Sequence, residues 1–359
     1  MSQLDGGISR VLRVPYDGKY PAERVPLPFE ASVFLGSWGE PRIPGVLLVM
    51  SSWTKAFKIY SYDPVTKQAT DTRLSPSGPF DDPPDVESVE VKVKSWDGTM
   101  IPLSIVYKRG LKLDGSHPAL LEGYGAAGIS SPPMFDPKRL AWLERGGVWA
   151  VAHVRGGGEY GEEWHQAGMK LTKPNTWRDF IACAEFLVEK GYTSGEQLAA
   201  WGASAGGITI GRAIAERPDL FAAAVVQSGV FDMLRIESTL NGVFTIPEYG
   251  SVKAPEGLKG LLAMSPYHHI TDRAHCPAFL AMASMNDTNV DPWHAAKMTA
   301  RLQAATASGK PVLLRLDEEG GHGIAATKTQ EQVKFADQLA FLFWQLGVPE
   351  FQPSPGAGN

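Results

Sequence analysis

The sequence predicts an α/β protein: a mostly parallel, doubly wound sheet preceded by a small β-rich segment. From about residue 88 onward, short continuous apolar runs alternate with helical segments, the pattern of buried strands covered by helices on both faces. Before residue 88, β-rich runs alternate with turn clusters and no helical period is convincing. The 359 residues include 38 glycines and 27 prolines, well above the usual combined share of roughly 12%. Such a chain makes many turns, and its length allows two or three ordinary domains, or one large one with an appendage.

In chain order, the N-terminal runs 11–14, 32–35, 46–50 and 57–62 read as strands, and 31–84 reads as one four-strand unit that ends in a Pro/Gly/Asp-rich linker at 75–84. The alternating runs 89–93 and 101–107 flank the turn Trp96-Asp97-Gly98-Thr99, a hairpin signal. Buried strands follow at 119–121, 148–154, 198–201, 222–226, 278–282 and 312–316, with helices near 137–145, 177–190, 207–216, 292–307 and 329–346. The expected division is therefore 1–88 as a β-rich segment, 89–348 as the α/β domain and 349–359 as a flexible tail.

Several function classes are excluded early. The longest aliphatic run, 45–50, is about six residues, far short of the roughly twenty that span a bilayer. The opening residues have neither a basic region nor an apolar core, so no signal peptide is expected and the assignment is cytoplasmic. With 34 basic against 39 acidic residues and no basic block, nucleic-acid binding is not expected. The two cysteines, Cys183 and Cys276, cannot build a disulfide framework or a four-ligand zinc site, and both sit in apolar surroundings that suit small core residues.

The most informative segment is Gly202-Ala203-Ser204-Ala205-Gly206, which sits between an apolar strand and a helix. A serine on a sharp strand-to-helix turn adopts strained backbone angles, and its neighbours must be small. Its hydroxyl stands clear of the sheet, and the following N–H points to where a carbonyl oxygen would develop charge. The plain alternative is a Gly/Ala-rich helix start. A serine nucleophile needs a base, so an acid and a histidine should follow in loops after later strands. Strand 278–282 runs into Asp287, and strand 312–316 runs into Gly320-Gly321-His322-Gly323. Ser204, Asp287 and His322 thus follow the Ser…Asp…His order of α/β-hydrolases.

Rival residues have simpler readings. Asp291 precedes Pro292 at a helix start and reads as a cap; Asp317 lies at a strand end and reads as structural. His153 lies inside an apolar strand, His294 begins a helix, His268 and His269 are paired in a loop, and His117 sits in a turn. The run Arg155-Gly156-Gly157-Gly158-Glu159-Tyr160-Gly161 formally fits a dinucleotide fingerprint. No helix opens at its last glycine in an early βαβ unit, and the adjacent acids Glu162 and Glu163 would repel a pyrophosphate, so it reads as a loop buttressing the site. The run Gly123-Tyr124-Gly125 follows strand 119–121, where α/β-hydrolases place the second oxyanion donor; a tyrosine hydroxyl or a backbone N–H could serve, or the tyrosine is incidental.

Taken together, these motifs resemble the prolyl oligopeptidase family of serine hydrolases, continuously from about residue 88 to 346. The stretches that carry the resemblance include Gly123-Tyr124-Gly125, Arg155 to Gly161, Gly191-Tyr192-Thr193-Ser194, Arg217-Pro218-Asp219-Leu220-Phe221, Glu248-Tyr249-Gly250 and Gly321-His322-Gly323. The resemblance implies an α/β-hydrolase fold with Ser204, Asp287 and His322 as the triad, and Tyr124 with the Ala205 N–H as oxyanion donors. It also implies an acyl-side pocket of Tyr249, Val230, Val290 and an aromatic near Phe244, and neither metal nor cofactor.

Three residues depart from the family pattern. Ala205 brings the nucleophile motif nearer that of oligopeptidase B. Asn289 stands where an arginine usually binds a substrate carbonyl, and an amide grips a peptide more weakly than a guanidinium fork. Ala127 stands where prolyl oligopeptidase has a pocket phenylalanine. The family also carries a β-propeller that filters substrates by size, of which residues 1–88 resemble about the last blade. The chain therefore reads as a truncated member with an open site. On these grounds it is expected to act as an esterase on small acyl esters, with cleavage of short peptides as the alternative and a non-catalytic binding role behind both. The strand edges left by a lone blade predict a homodimer or higher homo-oligomer.

Overall fold

The structure, a computed structural model, describes residues 1–36, 42, 44–323 and 327–353. Its N-terminal part holds two small antiparallel sheets. Strands β1 (Ser2–Asp5), β2 (Ile8–Arg13) and β3 (Glu23–Arg24) form the first; β4 (Ser32–Gly36), β5 (Val46–Ser51), β6 (Lys58–Asp63) and β7 (Gln68–Asp71) form a four-stranded meander. The meander is the four-strand unit expected over 31–84. Its period-2 pattern turns Val33, Leu48, Met50 and Tyr62 onto a small core shared with Val11, Val25 and Ala31, while Phe34 faces solvent. The contacts that tie this part to the rest include the Gly7 N–H donating to Glu90 at 3.1 Å, the Phe135 N–H donating to the Ser51 hydroxyl at 3.0 Å, and Trp53 joining the core beside Trp149.

The main sheet has eight strands: β8 (Val86–Lys94), β9 (Met100–Lys108), β10 (Ala119–Gly123), β11 (Val148–Ala152), β12 (Leu198–Ala203), β13 (Ala223–Gln227), β14 (Ala278–Ser284) and β15 (Val312–Asp317). Their order is β15-β14-β13-β12-β10-β11-β9-β8, with β10 to β15 mutually parallel and the β8–β9 hairpin antiparallel at one edge. The helices are α1 (Leu140–Leu143), α2 (Glu162–Gln166), α3 (Pro174–Glu189), α4 (Gly206–Glu216), α5 (Ile246–Tyr249), α6 (Pro255–Met264), α7 (Trp293–Ala305) and α8 (Lys328–Gln345).

Alternation along the strands divides the core in two. Leu121, Ala150, Ala200, Val226 and Phe279 point to the face covered by α3, α4 and α7, where Trp177, Phe180, Ile208 and Met298 pack. Leu120, Trp149, Ala199, Val225 and Leu280 point to the other face, where Trp142 of α1 stacks on Phe343 of α8 at 4.7 Å. Both faces are dry, which is why these strands read as continuous apolar runs. Cys183 and Cys276 are buried, and burial raises both thiol pKa values, Cys183 the more strongly.

Two expectations need correction. The helix expected over 137–145 is a short 3-10 turn at Pro137–Arg139 followed by the single turn α1. The tail expected to be flexible begins with a 3-10 turn at Pro349–Phe351, and the Phe351 ring packs against Phe343 at 4.9 Å; residues 354–359 lie outside the described residues.

Candidate active site

Five parallel strands deliver the site at one end of the sheet, where ligands bind in open α/β folds. β12 runs into Ser204, β14 into the loop of Asp287, β15 into the loop of His322, β10 into Tyr124 and β13 into Ser228. Ser204 has φ 52°, the left-handed conformation a nucleophile on a strand-to-helix turn requires. Backbone bonds hold it there: its N–H donates to Gln227 at 2.9 Å, and its carbonyl accepts from Val230 at 3.0 Å. Glycine is required beside it by space. A methyl group at Gly206 would lie 2.8 Å from the Gly123 carbonyl oxygen, and one at Gly207 would lie 2.7 Å from the Val230 nitrogen.

The His322 Nε2 lies 3.1 Å from Ser204 Oγ, and its Nδ1 lies 2.7 Å from Asp287 Oδ2. Asp287 is buried, and its other oxygen accepts the N–H groups of Asn289 and Val290, each at 2.9 Å. Burial raises the carboxyl's pKa, but His322, the Val290 N–H, the Ser228 hydroxyl and the Asn289 N–H outweigh it and hold it below its ordinary value. An ionised carboxylate only accepts, so Nδ1 carries the proton and Nε2 is free to accept from the serine hydroxyl.

Burial, with Glu248 adding to it, raises the pKa of the Tyr124 phenol above its ordinary value and outweighs the lowering effect of the nearby Ser204 hydroxyl, so the phenol stays protonated and able to donate. Ala205 is the N-cap residue of α4, where an N–H has no acceptor within the helix. The loop beginning at Tyr124 is fastened from several elements. Thr209 of α4 donates to the Tyr124 carbonyl at 2.7 Å, Lys173 donates to the Gly125 carbonyl, and Glu248 of α5 accepts the Ala127 N–H at 2.9 Å.

The glycine run at 155–161 buttresses this loop from below. The Gly156 carbonyl accepts the Gly128 N–H at 3.1 Å. Arg155 makes a two-pronged pair with buried Asp179 at 2.8 and 2.7 Å and reaches Asp97 at 2.5 Å.

Among the residues expected to line a pocket, Val230, Tyr249 and Val290 are buried in one core cluster. Asn289 and Ala127 are exposed at the rim, and Phe244 stands 83% exposed on the 3-10 turn Gly242–Thr245. A cavity of about 730 Å³ is lined by Tyr249 among others, together with His165, Met169, Leu171 and Ile246. The rivals are otherwise engaged. Lys334 pairs with Asp317 at 2.8 Å. His294 Nδ1 accepts the Asp232 N–H at 3.1 Å, and His153 Nε2 meets the Ser104 hydroxyl at 2.9 Å. The capping role expected of Asp291 is not found: Pro292 caps α7 with no side-chain bond, and the Asp291 backbone carbonyl accepts the His294 N–H.

Sequence reasoning missed Ser228, Thr209, Lys173, Glu248 and Asn241, whose amide donates to the Thr288 carbonyl in the acid loop at 2.6 Å. Two of them carried a signal: Ser228 stands directly after a parallel strand at the functional end of the sheet, and Glu248 lies in the stretch Glu248-Tyr249-Gly250 that carries the family resemblance.

Residues 133–349 match the model of the prolyl oligopeptidase family. The prolyl endopeptidase of Elizabethkingia meningoseptica is 38% identical over 291 residues, covering 81% of this chain and 41% of that protein. Among solved structures, a prolyl endopeptidase superposes with a TM-score of 0.87 at 35% identity over 97% of this chain and 52% of its own. Oligopeptidase B from Leishmania major superposes with a TM-score of 0.88 at 28% identity over 96% of this chain and 50% of its own. The chain thus spans about half the length of these structures and less of the curated relative. The relatives' names favour the peptide reading over the small-ester one and lend no support to the expected oligomer. No helix among the described residues is long and apolar enough to cross a membrane. From about residue 86 this is an α/β-hydrolase fold, and the chain belongs to the prolyl oligopeptidase family.

Proposed function

We propose that this chain carries the catalytic centre of a serine peptidase that cleaves short peptides through an acyl-enzyme. The observation that carries the reading is the unbroken chain from Ser204 Oγ through His322 to Asp287, at 3.1 and 2.7 Å, on a serine with φ 52°. His322 takes the hydroxyl proton as Ser204 attacks the peptide carbonyl, and Asp287 holds the imidazole in the required tautomer and stabilises its cation. The oxyanion is received by the Tyr124 hydroxyl and the Ala205 N–H, each donor contributing about 3 kcal/mol. His322 then hands the proton to the departing amine, and a water molecule, activated the same way, releases the acid and restores Ser204. No step calls on a cofactor. Tyr249, Val230 and Val290 supply the apolar wall for the acyl-side residue, with Phe244, Asn289 and Ala127 at its mouth. The peptide substrate is supported by the relatives that bear prolyl endopeptidase and oligopeptidase names.

The test uses a fluorophosphonate probe, then a panel of prolyl and arginyl peptide amides beside a short-chain p-nitrophenyl ester. Labelling should vanish in Ser204→Ala, and at least one peptide amide should be cleaved. Labelling that survives the substitution would overturn the nucleophile assignment; turnover of the ester alone would overturn the peptide substrate.

A further inference from the structure

Lys173 is fully buried, yet the reaction as described makes no use of it. It stands at the N-cap of α3, directly before Pro174, and its ammonium donates to the carbonyl of Gly125 while lying 5.7 Å from the centre of the Tyr249 ring. The position is unfavourable twice over. Burial strips the ammonium of water and draws its pKa down to about 8, with Glu248 countering only in part. The N-terminal end of a helix is also the positive end of its dipole, where a cation is repelled. An apolar side chain of similar length would pack there without either penalty, so stability does not account for a lysine.

The geometry of the neighbouring loop does. Gly125 has φ +72°, and a methyl group on it would lie 2.6 Å from a Val154 side-chain carbon and 3.1 Å from the Arg155 carbonyl oxygen, so this peptide is seated against the buttress loop. Tyr124, one residue earlier, has its phenol close enough to Ser204 for that hydroxyl to influence its titration. The Tyr124 carbonyl, in the Tyr124–Gly125 peptide, is held by Thr209 at 2.7 Å, and the Gly125 carbonyl, in the next peptide, is held by Lys173. Two fixed carbonyls in sequence hold the two peptide planes that meet at Gly125, and with them the backbone from which the tyrosine ring leaves.

We infer that Lys173 is a positioning residue for the oxyanion site: it pins the Gly125 carbonyl so that the Tyr124 hydroxyl is aimed at the oxygen that becomes charged. The inference rests on Tyr124 being the oxyanion donor. Lys173 touches neither the nucleophile nor the peptide; it acts through Tyr124. The ring is a lever, so a small rotation of the peptide displaces the hydroxyl by about an ångström, a misplacement that can lower rate by about 100-fold.

The test is a double-mutant cycle on the full chain with Lys173→Met and Tyr124→Phe, using a peptide amide cleaved by the unsubstituted protein and a peptide aldehyde, whose hemiacetal oxygen occupies the same hole. Lys173→Met should lower kcat by about 10- to 100-fold with KM within about twofold, and weaken the aldehyde by the same factor. In the Tyr124→Phe background it should do almost nothing further, because the hydroxyl it aims is gone. Thermal unfolding should occur at the same temperature or higher. If Lys173→Met does not fold, Lys173→Gln, which keeps a shorter donor, enters the same cycle with an intermediate loss expected. An equal fold loss in both backgrounds, or a rise in KM at constant kcat, overturns the inference while leaving the serine peptidase reading intact. Unchanged turnover in Tyr124→Phe alone removes Tyr124 as the donor, and the inference with it, whereas the fluorophosphonate result on Ser204 is unaffected.

Discussion

The Glu248 carboxylate accepts the Ala127 N–H at 2.9 Å across 121 positions of chain, so the helical turn that ends in Tyr249 is bonded to the loop that begins at Tyr124. Its second oxygen meets His165 Nε2 at 2.6 Å. The turn of Tyr249 and the loop of Tyr124 are thereby parts of one hydrogen-bonded frame. Replacing Glu248 with Leu removes this hydrogen bond to a charged group, a loss of about 1.5–3 kcal/mol. Steady-state kinetics on a peptide amide should show kcat/KM reduced by about 10- to 100-fold in Glu248→Leu. Glu248→Gln, which keeps an acceptor oxygen, should lose less than about tenfold; equal losses in both variants would count against the hydrogen bond.

Ser228 offers a second test. Its hydroxyl is one of the donors that hold Asp287 ionised, and it stands at φ 46°. A hydrogen bond to a charged group contributes about 1.5–3 kcal/mol. Ser228→Ala should therefore lower kcat by about tenfold or more with the fold intact by circular dichroism. Ser228→Gly should lower it similarly while unfolding no earlier, since glycine relieves the left-handed backbone. Undiminished kcat in both would remove Ser228 from the acid's support.

The pair of Arg155 and Asp179 should govern stability more than catalysis. Asp179 is fully buried; burial raises its pKa, and Arg155 counters this through its paired bonds at 2.8 and 2.7 Å. Removing one partner of such a pair strands a buried charge and costs about 3–5 kcal/mol. Asp179→Ala should lower the urea midpoint by an amount corresponding to that loss. A change below about 1 kcal/mol would place the pair with exposed ion pairs.

His294 carries a pH dependence. Its Nδ1 accepts the N–H groups of Phe231 and Asp232 at 3.3 and 3.1 Å, and burial draws its pKa down to about 4, with Asp232 opposing. An unfolded histidine titrates near 6.5. Between these values the unfolded chain binds a proton that the folded chain refuses, so stability is fully present above about pH 6.5 and falls as pH drops toward 4. The loss from this one group is up to about 3 kcal/mol. Urea unfolding of the unsubstituted protein and His294→Gln at pH 7.5 and pH 4.5 should show the smaller pH-dependent loss in the variant. Equal losses would show that His294 does not report this transition.

What could be read from the sequence follows from burial. Strands dry on both faces, such as β12 and β14, are continuous apolar runs and were legible. Polar β7 and two-residue β3 bury little and were not. The helix α6 hides because Gly257 and Gly260 interrupt ten residues that start at a proline. In the site, the serine announces itself because it needs glycine beside it for close approach, and the histidine because it stands next to a glycine with a left-handed φ of 71°. Lys173 does not, and Glu248 does so only through the family stretch that holds it: a lysine before a proline and a glutamate before a tyrosine look like surface residues until the fold turns them inward. The peptide reading, too, was weighed down by Asn289 and chain length, while the relatives' names point the other way.

The triad's spread along the chain has a consequence for biosynthesis. The histidine lies 118 positions after the serine and 35 after the aspartate, on the loop that follows β15, the outermost strand at one edge of the sheet. A chain emerging from the ribosome therefore presents the serine and the loop of Tyr124 well before it presents the histidine. Without His322 the serine hydroxyl stays a poor nucleophile. On the proposed reading, the serine therefore gains its base only once the loop after β15 is in place.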